Sequence, residues 1–229
     1  MLDLTTWNLS IPTDPAPTTI ETAQLNNGYT SRYFRRNADD SITFWVPVNG
    51  SHTRNARYPR SELRETQTDG ALDNWYHHSA DNYLSAVLSV NQVPSKHKVV
   101  IGQIHSTNQP GSNNDPLIKL QYHYRRGVGR LELLLRKRPG DSKVQNILLA
   151  ENVQLNERFG YDLRLTPSGK LGVSVSSSDG DRGSYYQQLS GDWGKQQLYF
   201  KAGAYIQDNY GPADEGGRVT FYWLNSLHR

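Results

Sequence analysis

A two-residue alternation of apolar and polar side chains recurs about every ten to fifteen positions along this chain, and turn chemistry breaks it each time. Ile42, Phe44, Val46 and Val48 alternate with Thr43, Trp45 and Pro47. Leu84, Ala86, Leu88 and Val90 alternate with Ser85, Ser89 and Asn91. Residues 99–105, 117–124, 130–136, 161–165, 171–176, 198–207 and 218–224 read the same way. Between such runs stand Asn49-Gly50, Pro110-Gly111, Arg126-Gly127, Pro139-Gly140, Pro167-Ser168-Gly169 and Asp179-Gly180, which are turn formers. A period of two puts successive side chains on opposite faces, so each run is a strand with one face for a core. Many short strands joined by polar turns predict an all-β chain: a β-jelly roll sandwich of two antiparallel sheets, one of them concave. A single helix is expected over Thr19–Leu25, with Thr18 or Thr19 as N-cap and Glu21 in its first turn.

The 229 residues contain no internal repeat, low-complexity tract or linker, so residues 1–229 are expected to form a single domain with a substantial core. There is no cysteine, which excludes disulfides and thiolate metal sites. Fourteen Tyr and five Trp against one Met suit strands and flat platforms for sugars. No apolar run is long enough to span a membrane. The N-terminus has neither a basic n-region nor an apolar h-region, which fits either a cytoplasmic protein or a mature secreted or periplasmic one. A monomer is expected.

The net charge of +3 is mild for a nucleic-acid binder, but the positive charge is clustered. Arg54, Arg57, Arg60 and Arg64 form one group, Arg125, Arg126 and Arg130 a second, and Arg136, Lys137 and Arg138 a third. Such clusters favour an acidic partner, although the third ends at Pro139-Gly140-Asp141 and reads as a solvated turn. His77-His78 reads as a surface pair rather than a metal site, and no metal or other cofactor is expected.

Three segments carry chemistry on one strand face each. In 60–65, Arg60, Glu62 and Arg64 share a face, and Glu62 is placed to hold both arginines while leaving donors free for an anion. In 102–105, Gln103 and His105 share a face while Ile104 points to the core. In 199–207, Tyr199, Lys201, Gly203, Tyr205 and Gln207 oppose Phe200, Ala202, Ala204 and Ile206. Buried charge is costly unless paired, so these polar faces predict an open groove. The polar segments 106–115 and 207–217 follow two of these strands and are natural rims.

No Gly-x-Ser-x-Gly elbow, P-loop or His-Glu-x-x-His is present. Glycoside hydrolysis needs two carboxylates flanking the bond, yet Glu62 and Glu65 face opposite ways. Arginines on either side of Glu62 also make it a poor acid. The set suits β-elimination from a uronic acid instead. That reaction removes the C5 proton, alpha to a carboxylate, and expels the C4 oxygen. Arg60, Gln103 and His105 are placed to neutralise the carboxylate where enolate-like charge develops. A His or Tyr takes the proton, and a Tyr can protonate the leaving oxygen. Lys201 and the arginines are candidate sources of a field that lowers a tyrosine pKa.

Arg60-Ser61-Glu62-Leu63-Arg64, Gln103-Ile104-His105 and Tyr199 through Gln207 resemble the three signature segments of the family 7 polysaccharide lyases, the alginate lyases. The opening Trp7 to Pro12 is similar to the family's first strand, and the resemblance runs from Trp7 to about Leu224. It implies a jelly roll with the groove on its concave sheet, no catalytic metal, and the acidic polysaccharide alginate as partner. It implies that Arg60 and Gln103 neutralise the carboxylate, that His105 assists or acts as base, and that Tyr205 acts as acid and possibly base. Glu62, Arg64, Tyr199, Lys201 and Gln207 would bind substrate. Ile104, at the middle of its segment, implies guluronate or mixed blocks, and endo action is expected. The competing readings are a non-catalytic carbohydrate-binding module, a lyase for another polyuronate, and, weakest, a nucleic-acid binder.

Overall fold

The computed structural model describes residues 2–229. Its strands, in chain order, are β1 (Trp7–Ile11), β2 (Thr18–Ile20), β3 (Phe34–Arg36), β4 (Ile42–Pro47), β5 (Arg60–Glu65), β6 (Asn82–Gln92), β7 (Lys98–Ser106), β8 (Pro116–Arg125), β9 (Val128–Arg136), β10 (Val144–Val153), β11 (Phe159–Leu165), β12 (Lys170–Ser177), β13 (Arg182–Gln188), β14 (Leu198–Ile206) and β15 (Gly216–His228). They form an eight-stranded sheet in the order β10-β9-β8-β7-β14-β5-β1-β2 and a seven-stranded sheet in the order β13-β12-β11-β6-β15-β4-β3. Every paired strand is antiparallel, as the alternation requires. This is the expected sandwich.

The two inner faces bury the apolar half of each alternation. Leu9, Leu63, Ile104, Phe200, Ala202, Ala204 and Ile206 of the first sheet meet Phe44, Leu84, Leu88, Val90, Leu163, Val219 and Phe221 of the second, all without exposure. Phe34, Phe44 and Phe221 run through this layer edge to face, with ring centroids 5.4 Å apart at each step. The outer sheet keeps the buried-exposed alternation, plainest in β11. The central strands of the first sheet do not: β7 and β14 are buried at almost every position. Their second face is covered as well, by the polar side chains of the groove.

The helix is shorter and later than expected. Thr18–Ile20 is a strand that pairs with β1 (Leu9 with Ile20, Ile11 with Thr18), and α1 spans Thr22–Asn26. Glu21 is its N-cap and makes no side-chain cap bond. The β-branched run Thr18-Thr19-Ile20 fits a strand edge better than a first helical turn. His77 and His78 also separate: His77 is buried, its Nδ1 3.2 Å from the Pro167 carbonyl, while His78 is exposed and stacks on Tyr76.

Candidate active site

Strand order β7-β14-β5 sets the three chemistry-bearing segments side by side. Register then fixes neighbours: Tyr205 lies across from Arg60, Gly203 from Glu62 and Lys201 from Arg64. On the other flank Lys201 lies across from Gln103 and Tyr199 from His105. Arg60, Glu62, Arg64, Gln103, His105, Tyr199, Lys201 and Tyr205 line one cavity of about 450 Å³.

Gly203 makes the close packing possible. Its φ is +145°, and a Cβ there would lie 2.7 Å from the Ser61 carbonyl oxygen and 2.8 Å from Glu62 Cα. Only glycine tolerates both that backbone conformation and that approach. Register shifts in β14 between Ala202 and Tyr205, and in β7 between Ile104 and His105, re-aim the flanking side chains.

Glu62 is the hub. Its carboxylate is fully buried under the groove floor. Oε1 accepts from Arg60 Nη1 at 3.0 Å and lies 2.5 Å from Lys201 Nζ; Oε2 accepts from Gln103 Nε2 at 2.7 Å. Burial alone would raise the Glu62 pKa, but Lys201 and Arg60 outweigh it and hold the carboxyl below its ordinary value. Glu62 therefore holds these three donors in place at the floor of the cavity it helps to line. Only one of the two expected arginines reaches it. Arg64 turns away, stacks 3.8 Å over the Tyr199 ring, and donates to the Glu65 and Asp73 carbonyls and to Asn74 Oδ1. Lys201 takes the vacated position. A guanidinium has five N–H donors and an amide two, so Arg60 and Gln103 each keep donors for a ligand.

His105 and Tyr205 differ in protonation. His105 Nδ1 lies 2.7 Å from the Ser106 carbonyl, which can only accept. The ring proton thus sits on Nδ1 and leaves Nε2 as the free acceptor. Burial first, then Lys201, lowers the His105 pKa to about 3, so the imidazole is neutral through the neutral range. Burial raises the Tyr205 phenol, while Arg60, 3.9 Å over its ring, pulls the other way without prevailing. Lys201 is not the source of a field that lowers it, because its charge is spent on Glu62. Burial and the Arg60 charge bring Lys201 itself down to about 8.

Gln207 does not join the others. Its Nε2 donates back to the Tyr205 and Ile206 carbonyls, and its side chain lines a second depression with Tyr58, Lys96, Lys98 and His123. That depression abuts the first, since Tyr58 packs 6.5 Å from the Tyr205 ring. Of the expected rims, 106–115 contributes Asn114, and the segment after Gln207 contributes nothing to the first cavity. Thr53, Asn55 and Ala56 border it instead. Asn8 and Ser10 of β1 and Lys119 of β8 also face it. Alternation could have revealed the first two, because Trp7, Leu9 and Ile11 take the core face.

A concave sheet that gathers cations, an amide, a neutral imidazole and a protonated phenol around one cleft, without a carboxylate pair for hydrolysis, defines a lyase for acidic polysaccharide. The family described as alginate lyase matches residues 2–228, and the chain belongs to it. An alginate lyase of Pseudomonas aeruginosa of known structure is 48% identical, superposes with a TM-score of 0.93, and the match covers 99% of this chain and 100% of that one. The alginate lyase A1-II′, a member of polysaccharide lyase family 7, is 29% identical with a TM-score of 0.83, over 99% of this chain and 96% of that one. A Klebsiella pneumoniae alginate lyase is 28% identical over 99% of this chain and 89% of its own length. The protein is thus a polysaccharide lyase that acts on alginate.

Proposed function

We propose that the enzyme is an endo-acting alginate lyase preferring guluronate or mixed guluronate/mannuronate blocks. Arg60 and Gln103 neutralise the uronate carboxylate, His105 takes the C5 proton, and Tyr205 protonates the departing C4 oxygen. The observation that carries this reading is the opposite protonation of two groups set apart on the sheet: a neutral imidazole with Nε2 free, and a phenol that keeps its proton. His105 lies across from Tyr199, whereas Tyr205 pairs with Val100, five residues before His105 on β7, so the backbones of His105 and Tyr205 stand at most about 17 Å apart along the strand direction. The two side chains then reach a sugar between them from opposite ends. In guluronate the C5 hydrogen and the C4 oxygen occupy opposite faces of the ring, so a separated base and acid fit it. Mannuronate puts both on one face.

Negative charge grows on the carboxylate as the proton leaves. Arg60 and Gln103, held by Glu62, meet that charge already oriented, which is where such donors contribute most. Ile104 is buried and acts on block preference only through the backbone that sets Gln103 and His105. Endo action is supported by the second depression on the same sheet, which gives a polymer room beyond the reacting unit. The related lyase A1-II′ has been solved with a product GGG and a substrate GGMG, both containing G units.

Product analysis on poly-guluronate, poly-mannuronate and mixed blocks tests substrate and mode together. We expect the fastest formation of the conjugated double bond on guluronate-containing blocks, with a spread of oligomers early in the reaction. Fastest turnover of poly-mannuronate, or release of monomers alone from the start, would overturn the reading. Tyr205→Phe should abolish turnover and retain oligosaccharide binding; near-normal activity would remove Tyr205 from the acid's role.

A further inference from the structure

The second sheet turns its outer face to solvent, and at one edge that face is cationic. Register sets Arg35 of β3 across from Thr43, and Arg218 of β15 across from Trp45 of β4. Arg32 enters from the loop before β3. With Ser31 they line a depression of about 400 Å³ that no carboxylate borders among the described residues. Arg218 lies 4.9 Å from the half-buried Trp45 ring and Arg32 5.2 Å from the Tyr33 ring. All three arginines are exposed. Elsewhere on the same sheet Arg164 is neutralised by a two-pronged bond to Asp81, and Arg158 stacks 3.7 Å over Tyr222. Arg32, Arg35 and Arg218 form no ion pair among the described residues.

We propose that this depression is a second polyuronate-binding site, on the opposite sheet from the groove. Arg35 and Arg218 clasp uronate carboxylates, and Trp45 supports a sugar face. A planar guanidinium matches a carboxylate through two parallel bonds, and an indole ring gives a pyranose a flat apolar plate. The polymer the enzyme cleaves supplies both features in every unit, so the inference rests on the alginate reading of the groove. Held by this site, the enzyme stays on the polymer while its groove samples neighbouring chains, which raises the effective substrate concentration. A tetrasaccharide cannot reach both faces and gains nothing.

The test uses Arg35→Ser/Arg218→Ser and, separately, Trp45→Ala, in the full-length protein. With Tyr205 intact, the KM for polymeric alginate should rise about threefold or more at low ionic strength, as expected for loss of a tethering contact. The tetrasaccharide kinetics should not change. In a Tyr205→Phe background, where no polymer is consumed, the same substitutions should reduce retardation in native gels cast with alginate. Unchanged polymer KM and retardation would overturn the proposal, as would an equal change on tetrasaccharide. Equal retardation by dextran sulfate and alginate would reduce the site to a generic cationic patch and overturn it too. Failure of the groove reading would show differently, as absence of the unsaturated product from the unaltered enzyme.

Discussion

At the scale of single residues the site depends on Glu62. One carboxylate, sealed from water, holds an ammonium, a guanidinium and an amide that the chain brings from three strands. Removing one partner of a buried charge group leaves the others uncompensated. Glu62→Gln should therefore cost about 3 kcal/mol in urea denaturation and lower kcat together with stability; unchanged stability would mean that the hub is not what holds Arg60 and Lys201. Arg60→Ala should reduce kcat about a hundredfold or more with the fold intact, as loss of an oriented donor does. Acidity adds two expectations. Lys201 loses its proton near pH 8, so the KM for polymer should rise above that pH, and Lys201→Arg should move the rise to higher pH. His105 takes a proton below 6.5 when unfolded but only near 3 when folded, so its contribution to stability is lost as pH falls from 6.5 toward 3. Sequence alternation placed Arg60, Glu62 and Arg64 on one face correctly. It could not choose which cation Glu62 would hold, because residues at i−2 and i+2 are equivalent along an isolated strand. Lys201, far off in sequence, decides the matter through sheet register.

At the scale of elements, β5, β7 and β14 act as one unit, and Gly203 lets two of them close. Gly203→Ala should destabilise the protein by more than about 1 kcal/mol, since the position combines an unsuitable backbone conformation with contact against β5. It should also lower kcat, because β5 carries Arg60; near-normal melting temperature and rate would show that the strands have slack. The strands with clean alternation were readable from sequence to within a few residues. β10 was not, because two register shifts break its pattern. Nor was β13, an edge strand of polar and tyrosyl residues with no core face to betray it. The site was readable because its residues sit on regular strands; Gln207, one residue beyond the end of β14, opens onto the adjoining depression rather than the first cavity, a distinction that alternation cannot make.

At the scale of the whole molecule, the sheets are fastened near the end of β15. His228 Nε2 lies 2.8 Å from Glu65 Oε1, and Glu65 Oε2 accepts from Trp75 Nε1 and from the Phe200 backbone. The outer sheet thereby grips the underside of the catalytic one. Burial opposes a charged His228, but the Glu65 carboxylate prevails and raises its pKa. The contribution is full below about pH 6.5, the unfolded value, and is lost as pH rises through the raised folded value. His228→Ala should cost about 2 kcal/mol in acid-side unfolding, in line with a charged hydrogen bond, and progressively less at alkaline pH. A cost independent of pH would assign His228 to packing alone.

The sealed carboxylate beneath the groove also says where this enzyme can be altered. Arg60, Gln103 and Lys201 share one anchor, so a change at any of them disturbs the other two, and a library that randomises the floor will return mostly unfolded or inert proteins. Thr53, Asn55, Ala56 and Asn114 look into the same cleft from connecting loops and carry no such shared debt. Redirecting the enzyme toward another polymer should begin with that border, leaving the floor as inherited.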